Sequence, residues 1–385
     1  MKTLLVFTGG GLAPALNSTL YGVITEARKK GWRVLGGLYG WASLLRGGGH
    51  IDLTAMDIES LKENGGTILR SSRANPYATS DGITQVKEAL KTLGVDAVVA
   101  IGGDDTLGAA AKLALEGISI VGIPKTVDND LPGTYFTPGF PSAAYYLATF
   151  AQEIKRDAAY ALSRIYIIEA MGFKAGWLTA AGALGGADLV LPPEWKISWK
   201  QTLELLSERY KKNGNFATVV VSQEAHFDEP LHGISETQLG EQHDHVRQSY
   251  ICLTLRDKLK AELGIEAKAL YPGNYVETGK PIPLDRDLAI ALGKKAVELL
   301  ERGEIGRMPC ITRPSAQTLD LAVDNVPLAI IADKKHRPLD PNMYDTNLLL
   351  PTKDFFDYMA PLACDFPKHE NAYAQLMQFI SSHSA

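Results

Sequence analysis

Short apolar runs alternate with amphipathic stretches along most of this chain. Runs rich in β-branched residues predict buried strands at 4–8, 97–101, 118–123, 165–170 and 216–222. Apolar residues at helical spacing predict helices at 14–29, 80–93, 107–115, 140–163, 199–212, 248–263 and 286–302. Strands that alternate with helices indicate an α/β fold of the doubly wound type with mostly parallel sheets. Because 385 residues exceed the usual size of one hydrophobic core, we expect two lobes.

Two acidic turns each follow a predicted strand. The first consists of Gly102, Gly103, Asp104, Asp105 and Thr106. The second runs from Pro124 to Asp130 and contains Lys125, Thr126, Asp128 and Asn129. Ligands of open α/β sheets bind at the carboxyl ends of the strands, where carboxylates suit Mg²⁺ and a general base, and a lysine neutralises a phosphoryl group. The turns therefore predict phosphoryl transfer. The alternatives are an aspartate that caps the following helix and an Asp/Asn-rich surface turn.

Two further segments have the composition of anion-binding loops. Gly9, Gly10 and Gly11 end the first strand and open a helix, so that their N–H groups and the helix dipole suit a phosphate. A plain tight turn is the other interpretation. The segment 65–73 combines glycines, hydroxyls and two arginines, among them Arg73, and an ordinary surface loop would look the same.

Composition narrows the class of protein. The sequence is 45% hydrophobic and 22% charged, as in ordinary globular proteins. A net charge of −5 argues against general binding of nucleic acids or anionic membranes. The three cysteines are widely spaced and form no CxxC pair, so we expect neither a disulfide framework nor a zinc site, and a reducing cytoplasm fits. No stretch approaches the ~20 apolar residues of a membrane helix.

Taken together, these segments resemble the phosphofructokinase A family, and most closely its pyrophosphate-dependent branch. The matching positions lie in family order over most of the chain: 9–11 with Asn17, 65–73, 102–106, 124–130, Glu169 to Gly172, Glu224, and Asp285 with Arg286. The resemblance implies two α/β lobes with the active site in the cleft between them. It also implies a donor-binding lobe of 1–138 plus about 274–305, and an acceptor-binding lobe of 139–273 plus about 306–385 that includes a C-terminal extension.

The resemblance also assigns roles. Asp128 would be the base that deprotonates the acceptor hydroxyl, and Asp130 would support it. Asp104 would organise Mg²⁺ on the donor phosphates, while Gly10, Gly11 and Arg73 would hold the transferring group. Gly103 and Thr106 belong to the donor-binding segment.

Two positions suggest the donor. Members of the family that use ATP usually have glycine at the positions of Asp105 and Lys125. A carboxylate at Asp105 would crowd and repel the α-phosphate of a nucleotide, and Lys125 would offer its charge to pyrophosphate. We therefore expect inorganic pyrophosphate as the donor.

The acceptor side departs from the family pattern. Implied acceptor contacts are Thr126, Arg164, Met171, Gly172, Phe173, Glu224, Lys268 and Glu277. Phe173 stands where the family has arginine, and Glu277 stands where an arginine is expected to pair with the 6-phosphate of the sugar. Arg164 matches an arginine that reaches across a subunit interface, and this implies a homodimer or homotetramer. Lys268 is a candidate to replace a second such arginine.

The leading interpretation is therefore a Mg²⁺-dependent enzyme that moves a phosphoryl group reversibly from pyrophosphate to the 1-hydroxyl of fructose 6-phosphate, in glycolysis. One alternative keeps the donor and changes the acceptor to another sugar, a polyol or a nucleoside. Another is a weakly active regulatory homologue.

Overall fold

Two separate sheets organise the chain. The computed structural model describes residues 1–160, 163–229, 250–331 and 336–363. The strands are β1 (Thr3–Thr8), β2 (Arg33–Gly37), β3 (His50–Asp52), β4 (Ala97–Gly102), β5 (Ile120–Pro124), β6 (Ile165–Ala170), β7 (Leu189–Leu191), β8 (Lys196–Ile197), β9 (Ala217–Ser222), β10 (His226–Phe227), β11 (Ala267–Leu270), β12 (Arg307–Thr312), β13 (Ala322–Pro327), β14 (Tyr344–Asp345) and β15 (Leu350–Pro351).

The larger sheet has seven strands in the order β13-β12-β5-β4-β1-β2-β3. The pairs from β12 to β2 are parallel, whereas β13 and β3 run antiparallel at the two edges. The central strands β1 and β4 are buried throughout, as their continuous apolar runs predict. Their pairing continues to Thr8 opposite Ile101, so that both strands end at the same edge.

The smaller sheet has four parallel strands in the order β11-β6-β9-β7. Two short pairs, β8 with β10 and β14 with β15, stand apart from both sheets. The parallel strands and their helical connections confirm the predicted α/β class, with two sheets as expected for two lobes.

Ten α-helices connect and cover the sheets in the described part of the chain. They are α1 (Leu16–Lys29), α2 (Gly82–Thr92), α3 (Asp104–Leu115), α4 (Phe140–Tyr160), α5 (Trp177–Ala181), α6 (Trp199–Lys212), α7 (Ile251–Leu263), α8 (Tyr275–Thr278), α9 (Pro283–Glu301) and α10 (Lys353–Ala363). None of these helices is both long and apolar enough to cross a membrane.

The helices α1 and α9 pack backbone against backbone. A Cβ at Gly22 would lie 2.2 Å from the carbonyl oxygen of Ile290, and one at Gly293 would lie 2.4 Å from that of Thr19. Only glycine permits this approach. Because α9 lies against α1, the chain that leaves α9 returns to the larger sheet.

The return of the chain to the larger sheet changes the predicted boundary between the two lobes at about residue 306. The segment from about 306 onward was predicted to join the acceptor-binding lobe, but β12 and β13 are strands of the larger sheet. The reason is the packing of α9, which delivers Arg307 beside Val121 of β5. The part of the predicted C-terminal extension beyond residue 363 lies outside the described residues.

Candidate active site

Three turns meet where β1, β4 and β5 end. The N–H of Lys125 donates to the carbonyl of Gly102 at 2.9 Å, and the N–H of Gly9 donates to that of Ile101 at 2.8 Å. Parallel pairing therefore brings the glycine turn 9–11 and the acidic turns 102–106 and 124–130 together, as the sequence predicts. The N–H of Gly10 donates a hydrogen bond to the carbonyl of Ser72, and this contact ties the segment 65–73 to the same edge of the sheet.

The glycine turn leaves a space that a side chain would fill. Gly10 has a φ of 82°, in the left-handed region that favours glycine. A Cβ at Gly10 would lie 3.5 Å from Nζ of Lys125 and 4.0 Å from the backbone nitrogen of Gly103. The space is thus bounded by an ammonium group and by the amino end of α3, which is the environment of a phosphate site.

Thr106 lies beneath this turn rather than in the open space. A Cβ at Gly9 or Gly102 would lie within 2.5 Å of its side chain, and Thr106 itself is buried. Its backbone carbonyl accepts a hydrogen bond from Nε1 of Trp41. We conclude that Thr106 supports the turn, whereas the neighbouring Asp105 is exposed.

Lys125 is a buried ammonium group among carboxylates. Only 2% of the residue is exposed, and Nζ donates to the carbonyl of Gly11 at 2.5 Å. Burial lowers the pKa of Lys125 to about 8, although Asp128, Glu277, Asp104 and Asp130 all raise it. The charge is therefore held at the glycine turn, with a pKa close to neutral pH.

Asp128 has the properties of a general base. Desolvation, followed by the charges of Asp130 and Glu277, raises the pKa of Asp128, which lies at about 7. A hydrogen bond with Thr126 and the charge of Lys125 act in the opposite direction. A carboxylate that titrates near neutral pH is matched to accepting a proton from a hydroxyl. Thr126 also positions the turn, because its Oγ1 accepts from the N–H of Asp128 at 3.1 Å.

Asp130 faces a residue that sequence reasoning missed. Nδ1 of His336 lies 2.8 Å from Oδ2 of Asp130, and Nε2 of the same ring lies 4.0 Å from Oδ2 of Asp104. The hydrogen bond to Asp130 is the main reason that the pKa of His336 is raised. One imidazole thus stands between the two acidic turns.

The C-terminal segment, residues 336–358, contains His336 and also holds the backbone of the second acidic turn. The guanidinium of Arg337 donates to the carbonyl oxygens of Asn129, Thr134 and Tyr135, and its N–H donates to that of Asp130 at 2.6 Å. A basic run at 334–337 was the available sequence signal, since its charge complements the acidic turn at 128–130. Nothing in its spacing indicated where it would fold.

The predicted acceptor residues of the smaller sheet follow the carboxyl ends of two of its strands. Met171, Gly172 and Phe173 follow the end of β6, and Glu224 follows the end of β9. Phe173 has a φ of 49°, and its ring stands edge-on to that of His336 with centroids 6.4 Å apart. The structure therefore brings Phe173 next to the imidazole that faces both acidic turns.

Glu277 lies beside the glycine turn 9–11. It lies in α8 with 9% of the residue exposed, and a Cβ at Gly11 would lie 3.7 Å from its Oε1. Burial raises the pKa of Glu277, while the charges of Lys125 and Arg73 lower it. Nδ2 of Asn274 donates to its other oxygen at 2.9 Å. Glu277 thus adds a negative charge beside the glycine turn.

Two predicted acceptor residues lie elsewhere in this chain. Arg164 precedes β6 at the amino end of the smaller sheet, where it is buried near the ring of Tyr166. Lys268 lies within β11, the edge strand, and is exposed. The carboxyl ends of β6 and β11 face the acidic turns, so neither cation belongs to that cluster. Their predicted roles across a subunit interface stay predictions.

A magnesium ion fits the donor side through Asp104. The described residues contain no group of three or more acidic, histidine or cysteine side chains arranged as a metal centre. Mg²⁺ nevertheless needs only one or two protein carboxylates when phosphate oxygens and water complete its shell. Asp104 begins α3 beside the space at Gly10, and 42% of its side chain is exposed. It can therefore bind a cation that arrives with the donor.

Comparisons with known proteins identify the family. A family model described as phosphofructokinase matches residues 3–300. A protein of Dictyoglomus thermophilum named pyrophosphate–fructose 6-phosphate 1-phosphotransferase is 32% identical over 91% of this chain and 98% of its own length. An ATP-dependent 6-phosphofructokinase 3 of Streptomyces coelicolor is 33% identical over 86% of this chain and 97% of its own length. Both donors therefore occur among the relatives.

The fold comparison agrees with the sequence comparison. A crystal structure titled pyrophosphate-dependent phosphofructokinase, from Marinobacter aquaeolei, has a TM-score of 0.83 at 26% identity. The likeness covers 96% of this chain and 94% of that one. The resemblance inferred from the motifs and the predicted fold class are confirmed.

Proposed function

This chain belongs to the phosphofructokinase family of phosphotransferases, and from that premise we propose that it transfers a phosphoryl group from inorganic pyrophosphate to the 1-hydroxyl of fructose 6-phosphate. The observation that carries the proposal is Asp128, a carboxylate with a pKa near 7 beside the space bounded by Gly10, Lys125 and the start of α3. A base thus adjoins a site suited to a phosphate group.

The proposed reaction uses these groups in one displacement. Asp128 accepts the proton of the acceptor hydroxyl, whose oxygen forms a bond to the terminal phosphorus of pyrophosphate. The bond from that phosphorus to the bridging oxygen breaks, and inorganic phosphate leaves with the electron pair. Lys125 and Arg73 offset the charge on the transferring group. Mg²⁺, held through Asp104, supplies further charge neutralisation when it is bound.

The donor proposal rests on Asp105 and Lys125. Asp105 is exposed at the first turn of α3, where its charge would meet the inner phosphate of a nucleotide. Lys125 is buried at the glycine turn, so its ammonium group is fixed beside the donor space. Several relatives carry pyrophosphate in their names, which supports the same donor.

The setting of the reaction is part of the proposal. We expect it to be reversible and to serve glycolysis, as the family resemblance implies. The buried free thiols of Cys252 and Cys310 fit a reducing cytoplasm. We also expect a homodimer or homotetramer in which Arg164 serves a neighbouring copy.

A second acceptor class has a specific observation in its favour. Glu277 lies beside Gly11. Burial raises the pKa of Tyr271, and the charges of the nearby Glu169 and Glu277 also raise it. Carboxylates and aromatic rings suit a neutral hydroxylated molecule, held by hydrogen bonds and ring contacts. A polyol, free sugar or nucleoside is therefore the alternative acceptor.

One matrix of assays tests both candidates. Pyrophosphate, ATP and ADP are each combined with fructose 6-phosphate, sedoheptulose 7-phosphate, free sugars, inositols or nucleosides in the presence of Mg²⁺, and the phosphorylated product is identified by mass. Fastest turnover of pyrophosphate with fructose 6-phosphate supports the main proposal. Turnover restricted to neutral acceptors replaces it by the alternative. Preference for ATP overturns the donor assignment.

A further inference from the structure

The C-terminal segment places an imidazole in the reaction centre, and the proposed function does not account for it. His336 lies after β13, the last strand of the larger sheet along the chain. It does not belong to the turns that follow β1, β4 and β5. Nδ1 lies 2.8 Å from Oδ2 of Asp130, so one hydrogen bond joins this segment to the acidic turn. An ionised carboxylate oxygen can only accept, so this hydrogen bond requires a proton on Nδ1.

The imidazole ring of His336 is held by a contact with Phe173 and by the anchored backbone of the next residue, Arg337. Its edge contact with Phe173 comes from the smaller sheet, and the neighbouring Arg337 anchors the backbone through the carbonyls of 129, 130, 134 and 135. The carbonyl of Arg337 also accepts from Nε1 of Trp177 at 3.0 Å. These contacts fix the direction from which Nδ1 approaches Asp130, independently of any ligand.

We propose that His336 is a positioning residue for the catalytic carboxylates: it holds Asp130 through Nδ1 and thereby sets the charge that acts on Asp128. Asp130 is the largest charged influence on Asp128. A carboxylate that is free to rotate away from the turn would act on Asp128 less uniformly, so the fixed hydrogen bond keeps the base ready. The inference rests on the proposed phosphoryl transfer for its kinetic readout.

Two conservative variants separate the two ring nitrogens. In His336→Asn the amide nitrogen stands near the position of Nδ1 and can still donate to Asp130, whereas in His336→Gln the amide stands near Nε2 and cannot. His336→Phe keeps a ring of similar shape and removes both nitrogens. The exposed His226, which lies in β10, provides the matched control His226→Asn.

The experiment measures kcat and KM for pyrophosphate and for the acceptor in each variant. We expect His336→Phe and His336→Gln to lower kcat about tenfold to a hundredfold with both KM values nearly unchanged, the size of effect that supporting partners have at functional sites. His336→Asn should recover most of the loss, and His226→Asn should match the parent. Rescue by Gln instead of Asn, an increase confined to the KM for pyrophosphate, or unchanged kinetics in His336→Phe would each overturn the proposal.

A second measurement is independent of turnover. In protein with ¹⁵N-labelled histidine, the His336 signal should show hydrogen on Nδ1 and should shift in Asp130→Asn. If the parent protein transfers no phosphoryl group but this coupling is present, the proposed function fails while the contact stands. If the coupling is absent, the positioning role fails whatever the activity.

Discussion

Replacing Lys125 by methionine removes one buried charge while keeping a side chain of similar length. In the parent, Nζ donates to the carbonyl of Gly11, and the ammonium group lies among Asp128, Glu277, Asp104 and Asp130. The variant therefore leaves that carbonyl without this donor and leaves the carboxylates without their buried counter-charge. Two separate effects on catalysis follow.

The first effect is the loss of a cation next to the transferring group. Removing one such preorganised donor typically lowers the rate by about 10²–10³. The second effect acts through the base, because Lys125 lowers the pKa of Asp128. An opposite charge close to a carboxylate favours its ionised form, so removing Lys125 should raise the pKa of Asp128, although Lys125 has a weaker influence on it than burial or the charge of Asp130. At pH 7 less of the base is then ionised, which lowers the rate further, by up to about tenfold for each unit by which the pKa rises.

The assay is the initial rate of inorganic phosphate release from pyrophosphate, measured between pH 6 and pH 9 with saturating Mg²⁺ and the best acceptor. We expect kcat/KM to fall and its rising acid side to move to higher pH. Lys87→Met, at an exposed lysine paired with Glu116, is the matched control. An unchanged acid side would refute the electrostatic reasoning, and an unchanged rate at the pH optimum would remove Lys125 from the donor site.

Further predictions concern the base, the donor and the fold. Asp128→Asn should lower kcat by about 10²–10⁴ because the amide accepts no proton, and a near-normal rate would exclude Asp128 as the base. For the parent, kcat/KM should rise as Asp128 ionises near pH 7 and fall as Lys125 loses its proton near pH 8, so a pH profile flat from 6 to 9 would contradict both assignments. Asp105→Gly combined with Lys125→Gly should raise the rate with ATP relative to pyrophosphate; an unchanged ratio would break the donor argument. Asp285→Ala removes the acceptor for Gly139 N–H and for both donors of Ser142, so denaturant unfolding should show a loss of about 3 kcal/mol or more, against little change in the exposed Asp287→Ala.

The turns of the larger sheet were predictable because short-range chemistry decides them. Asp104 and Asp128 each follow a run that is apolar enough to read as a buried strand, and parallel pairing then brings the two turns together. The glycine at position 10 marks a left-handed backbone, and the space above it follows from the absence of a side chain. Each inference needed only a few neighbouring residues.

The contribution of residues 336–358 could not be predicted in the same way. His336 meets Asp130 across 206 positions of sequence, and Tyr358 meets Asn129 across 229. No local periodicity encodes which turn a distant basic segment will reach. The course of the chain after α9 was misassigned for the same reason, since the close glycine contacts of α1 with α9 became visible only in three dimensions.

The asparagine between the two proposed catalytic carboxylates is held by the C-terminal segment. Asn129 has a φ of 57°, a left-handed conformation that is uncommon for residues other than glycine and costs of order 1 kcal/mol or more. Its Oδ1 accepts from the N–H of Thr137 at 3.0 Å, its Nδ2 donates to the hydroxyl of Tyr358 at 2.9 Å, and Arg337 donates to its carbonyl. Hydrogen bonds of this kind contribute about 1 kcal/mol each, and together they offset the strain.

The consequence is a turn in which two nearby carboxylates have different partners. Asp128 interacts with Thr126 and Lys125, whereas Asp130 is bound by His336. Because the left-handed residue between them is held in part by the C-terminal segment, this difference in partners depends on chain that lies more than 200 residues away. The C-terminal segment is therefore joined to the turn on which the proposed base lies, and we expect it to be part of the proposed catalytic architecture.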